Sequence, residues 1–75
     1  MKFKSYDPKL FKTKRLVCNL TTSELADICF TTRQTISNIE QQRTSNKAMI
    51  TLIGLALDGV AAEKGVTNVF EALEG

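Results

Sequence analysis

The apolar residues of this chain recur at spacings of three and four, and nowhere do apolar and polar residues alternate over the length of a strand. Three-and-four spacing is the helical period, whereas strict alternation marks a strand. The pattern therefore predicts an all-α fold. Its 75 residues suffice for one domain, residues 1–75, with no room for a second core. Hydrophobic residues make up 43% of the chain and no run is of low complexity, so a packed globule is expected rather than disorder.

Five helical segments follow from the cap signals. Asp7-Pro8 is a helix start: Asp accepts backbone N–H bonds, and Pro at the first helical position gives up a donor that had no partner. The first helix is placed at about Pro8 to Cys18, with Leu10, Phe11, Lys14, Val17 and Cys18 along its apolar side. Asn19-Leu20 breaks the pattern. Thr21 and Glu24 form a T-x-x-E capping box that opens a second helix, with Leu25, Ala26, Ile28 and Cys29 on its inner face. Thr31 or Thr32 caps a third helix, anchored by Ile36 and Ile39, three residues apart. Arg33, Gln34, Ser37 and Asn38 fall on its opposite face. Gln41 to Asn46 is a polar connection, and Asn46 is the N-cap of a fourth helix. That helix ends at Lys64 with Gly65 as its stop, or earlier, near Asp58, because Gly54 and Gly59 weaken it. Thr67 caps a last helix carrying Val69, Phe70 and Leu73.

Charge is distributed unevenly. Residues 1–47 hold nine Lys or Arg against four Asp or Glu, which is +5; residues 48–75 hold one against four, which is −3. The first part is the one expected to attract phosphate. Lys2, Lys4, Lys9, Lys12 and Lys14 are available for sequence-independent contacts there, and residues 1–6 read as a basic arm. Enzyme chemistry finds no support. There is no His, no nucleophile–base pair and no phosphate-cradling glycine loop. Two cysteines, Cys18 and Cys29, cannot complete a zinc site and sit among apolar neighbours, so buried free thiols are expected, with no metal and no cofactor. The longest apolar stretch, Ala48 to Leu57, is interrupted by Thr51 and too short for a bilayer, and no apolar run follows Lys2 and Lys4. A cytoplasmic protein that engages no membrane is the expectation.

Two short helices joined by a brief turn, the second polar on its outer face, describe a helix-turn-helix over about residues 21–41. Leu20-Thr21-Thr22-Ser23-Glu24-Leu25-Ala26 and Thr31-Thr32-Arg33-Gln34-Thr35-Ile36-Ser37-Asn38-Ile39-Glu40 resemble the phage repressor and Cro family of helix-turn-helix proteins. The resemblance runs from Phe11 to Leu57 without gaps, with Leu25, Ala26, Ile36, Ile39 and Glu40 in register. It implies a lambda-repressor-like bundle of about five short helices and a sequence-specific transcriptional regulator that sets its third helix in the major groove of double-stranded DNA. It also implies roles. Arg15 and Glu40 match an ion pair bracing the first helix to the third. Arg33, Gln34, Thr35 and Asn38 match base-reading positions. Thr22, Thr32, Ser37, Arg43 and Lys12 are matched or available to phosphate. The chemistry agrees: Arg suits guanine, Gln or Asn suits adenine, and the Thr35 methyl suits thymine. Against this, Gln34 could instead close a capping box with Thr31, turning it inward.

Three positions depart from the family. Phe30 and Gln42 replace glycines, and Thr22 replaces a longer Gln. A bulky residue at positive φ is strained, so the turn at Phe30 is either remodelled or kept for a compensating contact. The fourth helix carries two apolar stripes, Ile50, Ile53, Leu57 and Val60 on one side and Ala48, Leu52, Leu55 and Gly59 on another. One faces the core. The other is an exposed interface for a homodimer or a partner, centred on Ala48, Leu52 and Leu55, or is covered by the last helix. Two functions stay open: a homodimeric DNA-binding regulator, and a modulator or antirepressor that grips a partner repressor.

Overall fold

The computed structural model describes residues 5–75, and these form an all-helical bundle without strands. Lys2 and Lys4, and most of the basic arm they belong to, lie outside the described residues. A single 3-10 turn, Pro8–Leu10, leads into α1 (Phe11–Val17). Then follow α2 (Thr22–Ile28), α3 (Arg33–Glu40), α4 (Lys47–Lys64) and α5 (Thr67–Glu74). No helix among the described residues is long and apolar enough to cross a membrane.

The helix starts are made by side chains. Asp7 accepts from the Lys9 N–H at 3.0 Å and caps the 3-10 turn. At α2 both halves of the capping box are formed: Thr21 Oγ1 accepts from the Glu24 N–H at 3.0 Å, and Glu24 Oε1 accepts from the Thr21 N–H at 2.8 Å. Those bonds hold the Glu24 carboxyl below its usual pKa. Thr32, rather than Thr31, caps α3, and Asn46 caps α4 as expected. The last helix differs. Its N-cap is Val66, with no side-chain bond, and Thr67 is its first residue.

The helix ends share one device. After α1, α2 and α3 the chain turns through one residue at positive φ: Asn19 at 58°, Phe30 at 54° and Gln42 at 59°. The next N–H reaches back five residues, Leu20 to the Arg15 carbonyl, Thr31 to Ala26 and Arg43 to Asn38, at 3.0, 2.9 and 2.8 Å. These are Schellman closures, which favour glycine because it alone carries no Cβ to clash. At the end of α4 the positive-φ position is held by glycine, Gly65 at φ 72°. The fourth helix thus runs through Gly54 and Gly59 to Lys64 instead of stopping near Asp58. At its end the Lys64 ammonium donates to the Cys18 carbonyl, tying it to the end of α1.

The core gathers Phe11, Cys18, Leu25, Ala26, Cys29, Ile36, Ile39, Ile53, Leu57, Ala61 and Phe70. Both cysteines are free and buried, and burial pushes each thiol pKa up. Several expectations need correction. Ile28, assigned to the inner face of α2, is exposed, as is Val69 on α5. On α4, Ile50 and Val60 are only half-buried; Gly54 and Ala61, which lie in neither stripe, are buried beside Ile53 and Leu57. At Gly54 a ring lies against the helix: a Cβ there would overlap the Tyr6 ring.

Lys14 is the largest correction. It is 1% exposed and cannot reach a phosphate. Its ammonium bonds Glu74 Oε2 at 2.7 Å and lies 5.7 Å from the Tyr6 ring centre and 5.2 Å from that of Phe70. Tyr6 in turn donates its hydroxyl to Asp58 Oδ2 at 2.8 Å. Burial, then the bond and charge of Asp58 and the charge of Glu74, push the Tyr6 pKa from 10.0 up to about 12. Below pH 10 both folded and unfolded chains keep this proton. Between pH 10 and about 12 only the unfolded chain releases it, so the contribution of Tyr6 to stability falls as pH rises. Urea titrations across that window should show the wild type losing stability relative to Tyr6→Phe. A constant difference between the two proteins would contradict the assignment.

Candidate nucleic-acid interface

Helix α3 is held from beneath. Ile36 and Ile39 are fully buried, and α2 and α3 pack on each other more extensively than any other pair of elements. Arg15 reaches from α1 to the end of α3: its Nε donates to Glu40 Oε2 at 2.8 Å and its Nη2 to Oε1 at 3.3 Å. Its Nη1 donates to the Leu20 carbonyl at 2.9 Å. One guanidinium thereby ties α1, the turn before α2 and the last residue of α3, as the sequence resemblance implied. Both side chains are largely buried, so the geometry is fixed rather than solvated.

The other side of α3 faces outward. Arg33 and Gln34 are exposed, and Thr35, Ser37 and Asn38 are half-buried. Gln34 does not cap the helix. Its Nε2 donates to Asn38 Oδ1 at 2.9 Å, keeping both amides on the outer face. Thr32 is occupied by capping, accepting from the Thr35 N–H at 3.2 Å, and its hydroxyl meets that of Thr35 at 3.0 Å. Ser37 accepts from Gln41 Nε2 at 3.0 Å. An open depression of about 330 Å³ is lined by Thr22, Arg33, Gln34 and Ser37. The first residue of α2 thus shares a concavity with the outer face of α3. Its lining holds one cation, Arg33, and no acid.

Lys12 and Arg43 are exposed but do not line the depression. Arg43 is fixed through its backbone at the end of α3, whereas Lys12 belongs to α1. The α4 stripe forms a second surface: Ala48, Leu52, Leu55 and Gly59 are all exposed, so α5 does not cover it. Phe30 is 96% exposed despite its positive φ. It buries nothing in return for a strain of roughly 1–2 kcal/mol. Phe30→Gly is therefore expected to raise stability by about 1 kcal/mol, a rise in Tm of roughly 4–8 °C for a domain of this size. An unchanged or lower Tm by calorimetry would show that the ring packs on something in solution.

Sequence reasoning missed the link between Gln34 and Asn38, although their i, i+4 spacing is the one at which helical amides meet. It placed Lys14 on the apolar side of the first helix yet also counted it among the phosphate contacts, which its burial excludes. No family model, no curated protein and no solved structure matches this chain.

Proposed function

We propose that this protein is a sequence-specific DNA-binding regulator that lays α3 in the major groove. One observation supports this above the others: Arg33, Gln34, Ser37 and Asn38 lie on the outward side of α3, and the depression that Arg33, Gln34 and Ser37 line with Thr22 holds no acid. Arg33 carries the donors for guanine, Gln34, bonded to Asn38, an amide for adenine, and Thr35 a methyl for thymine. Thr22, Thr32, Ser37, Arg43 and Lys12 serve the phosphates. The α4 stripe around Ala48, Leu52 and Leu55 joins two copies, which then read half-sites about one helical turn apart.

Fluorescence anisotropy against duplexes selected from a random pool tests the reading. Affinity should fall steeply with salt, as it does wherever phosphate contacts release counterions. Arg33→Ala should cost about 1–3 kcal/mol at a single base position. Lys12→Ala should weaken every sequence alike and lower the salt slope by about 1. No retention of any duplex at low salt would overturn the proposal.

A second reading has its own support. The exposed Phe30, held in a strained conformation, and the uncovered α4 leucines suit a modulator that binds a repressor protein. Capture of a repressor by this protein without DNA favours that reading.

A further inference from the structure

The bond from Gln34 Nε2 to Asn38 Oδ1 fixes what each amide has left to offer. Gln34 keeps its carbonyl oxygen and one N–H, an acceptor beside a donor. The major-groove edge of adenine presents the complement, the N6 donor beside the N7 acceptor. Guanine presents two acceptors, O6 and N7, and would set O6 against the Gln34 oxygen. An unrestrained glutamine escapes that conflict by turning its NH2 toward guanine. Here the turn is opposed, because the same NH2 is engaged by Asn38.

We infer that Gln34 selects adenine over guanine and that Asn38 is the positioning residue that makes the selection one-sided. The inference rests on the DNA-binding reading and deepens it. Asn38 lies one turn further along α3 with its Oδ1 engaged by Gln34, so it acts on the base through Gln34. Arg33, adjacent in sequence, offers donors only and serves a different base.

The test is selection from a randomised duplex pool with four proteins: wild type, Asn38→Ala, Gln34→Ala and the double variant. Alanine is the best helix former, so α3 is retained, and circular dichroism checks it. The wild type should prefer adenine over guanine at one position by roughly 5- to 160-fold, the range of a good bidentate contact. Asn38→Ala should keep binding but admit guanine there, lowering the ratio severalfold toward one. Gln34→Ala should erase the preference at that position, and adding Asn38→Ala should change nothing more there. An unchanged adenine-to-guanine ratio in Asn38→Ala overturns the inference, as do effects of the two variants at different positions. Failure of the wild type to enrich any duplex overturns the DNA-binding reading, and this inference with it, and is plainly distinct from those outcomes.

Discussion

Glu40→Ala should leave the protein largely unfolded in mild denaturant, with a loss of about 3–5 kcal/mol, the cost of stranding one member of a buried ion pair. The stranded group is Arg15, only 8% exposed and always charged. Its remaining bond, to the Leu20 carbonyl, cannot replace two bonds to a carboxylate. A domain of this length has a total stability of only about 4–11 kcal/mol, so the loss is a large share of it. The effect is not a measure of what the pair contributes. Arg15→Met combined with Glu40→Leu removes both charges and fills their space, and should recover most of the loss. Urea unfolding followed by circular dichroism separates the cases. A loss below about 1 kcal/mol for Glu40→Ala would place the pair with ordinary surface salt bridges.

Glu74→Ala should cost about 2–3 kcal/mol, less than Glu40→Ala, because the Tyr6 and Phe70 rings still face the ammonium left behind. Its counterpart should behave differently. Lys14→Met removes the buried charge itself, and a thioether packs well against two rings. Glu74 is a quarter exposed, so its carboxylate already meets water. Lys14→Met is thus expected to lie within about 1 kcal/mol of wild type. Equal losses from the two substitutions, measured by the same urea unfolding, would contradict this asymmetry.

Most of the architecture could be read from short-range signals. Thr21 with Glu24, Asn46 and Gly65 mark helix ends by chemistry that acts over three or four residues, and each appears where expected. Ile36 and Ile39 oriented α3 correctly, which also placed Arg33, Gln34 and Asn38 outside. What escaped depends on partners far along the chain. The partner of the buried Lys14 is Glu74, sixty residues on. The ring that lies against Gly54 is that of Tyr6. The exposure of Leu52 and Leu55 depended on where α5 would land, which no local periodicity reports. Within the site, the direction of the Gln34–Asn38 bond is a choice between two equally polar amides, and composition carries no trace of it.

The two sequestered thiols give the molecule a gauge of its own integrity. Alkylating reagents attack the thiolate, and both Cys18 and Cys29 lie in the core with that form disfavoured. Cys18 closes α1 and Cys29 closes α2, the helix that precedes the outward-facing one. Labelling of either residue therefore counts the moments when its own segment opens. A difference between their labelling rates would reveal whether the chain comes apart as one unit or in pieces.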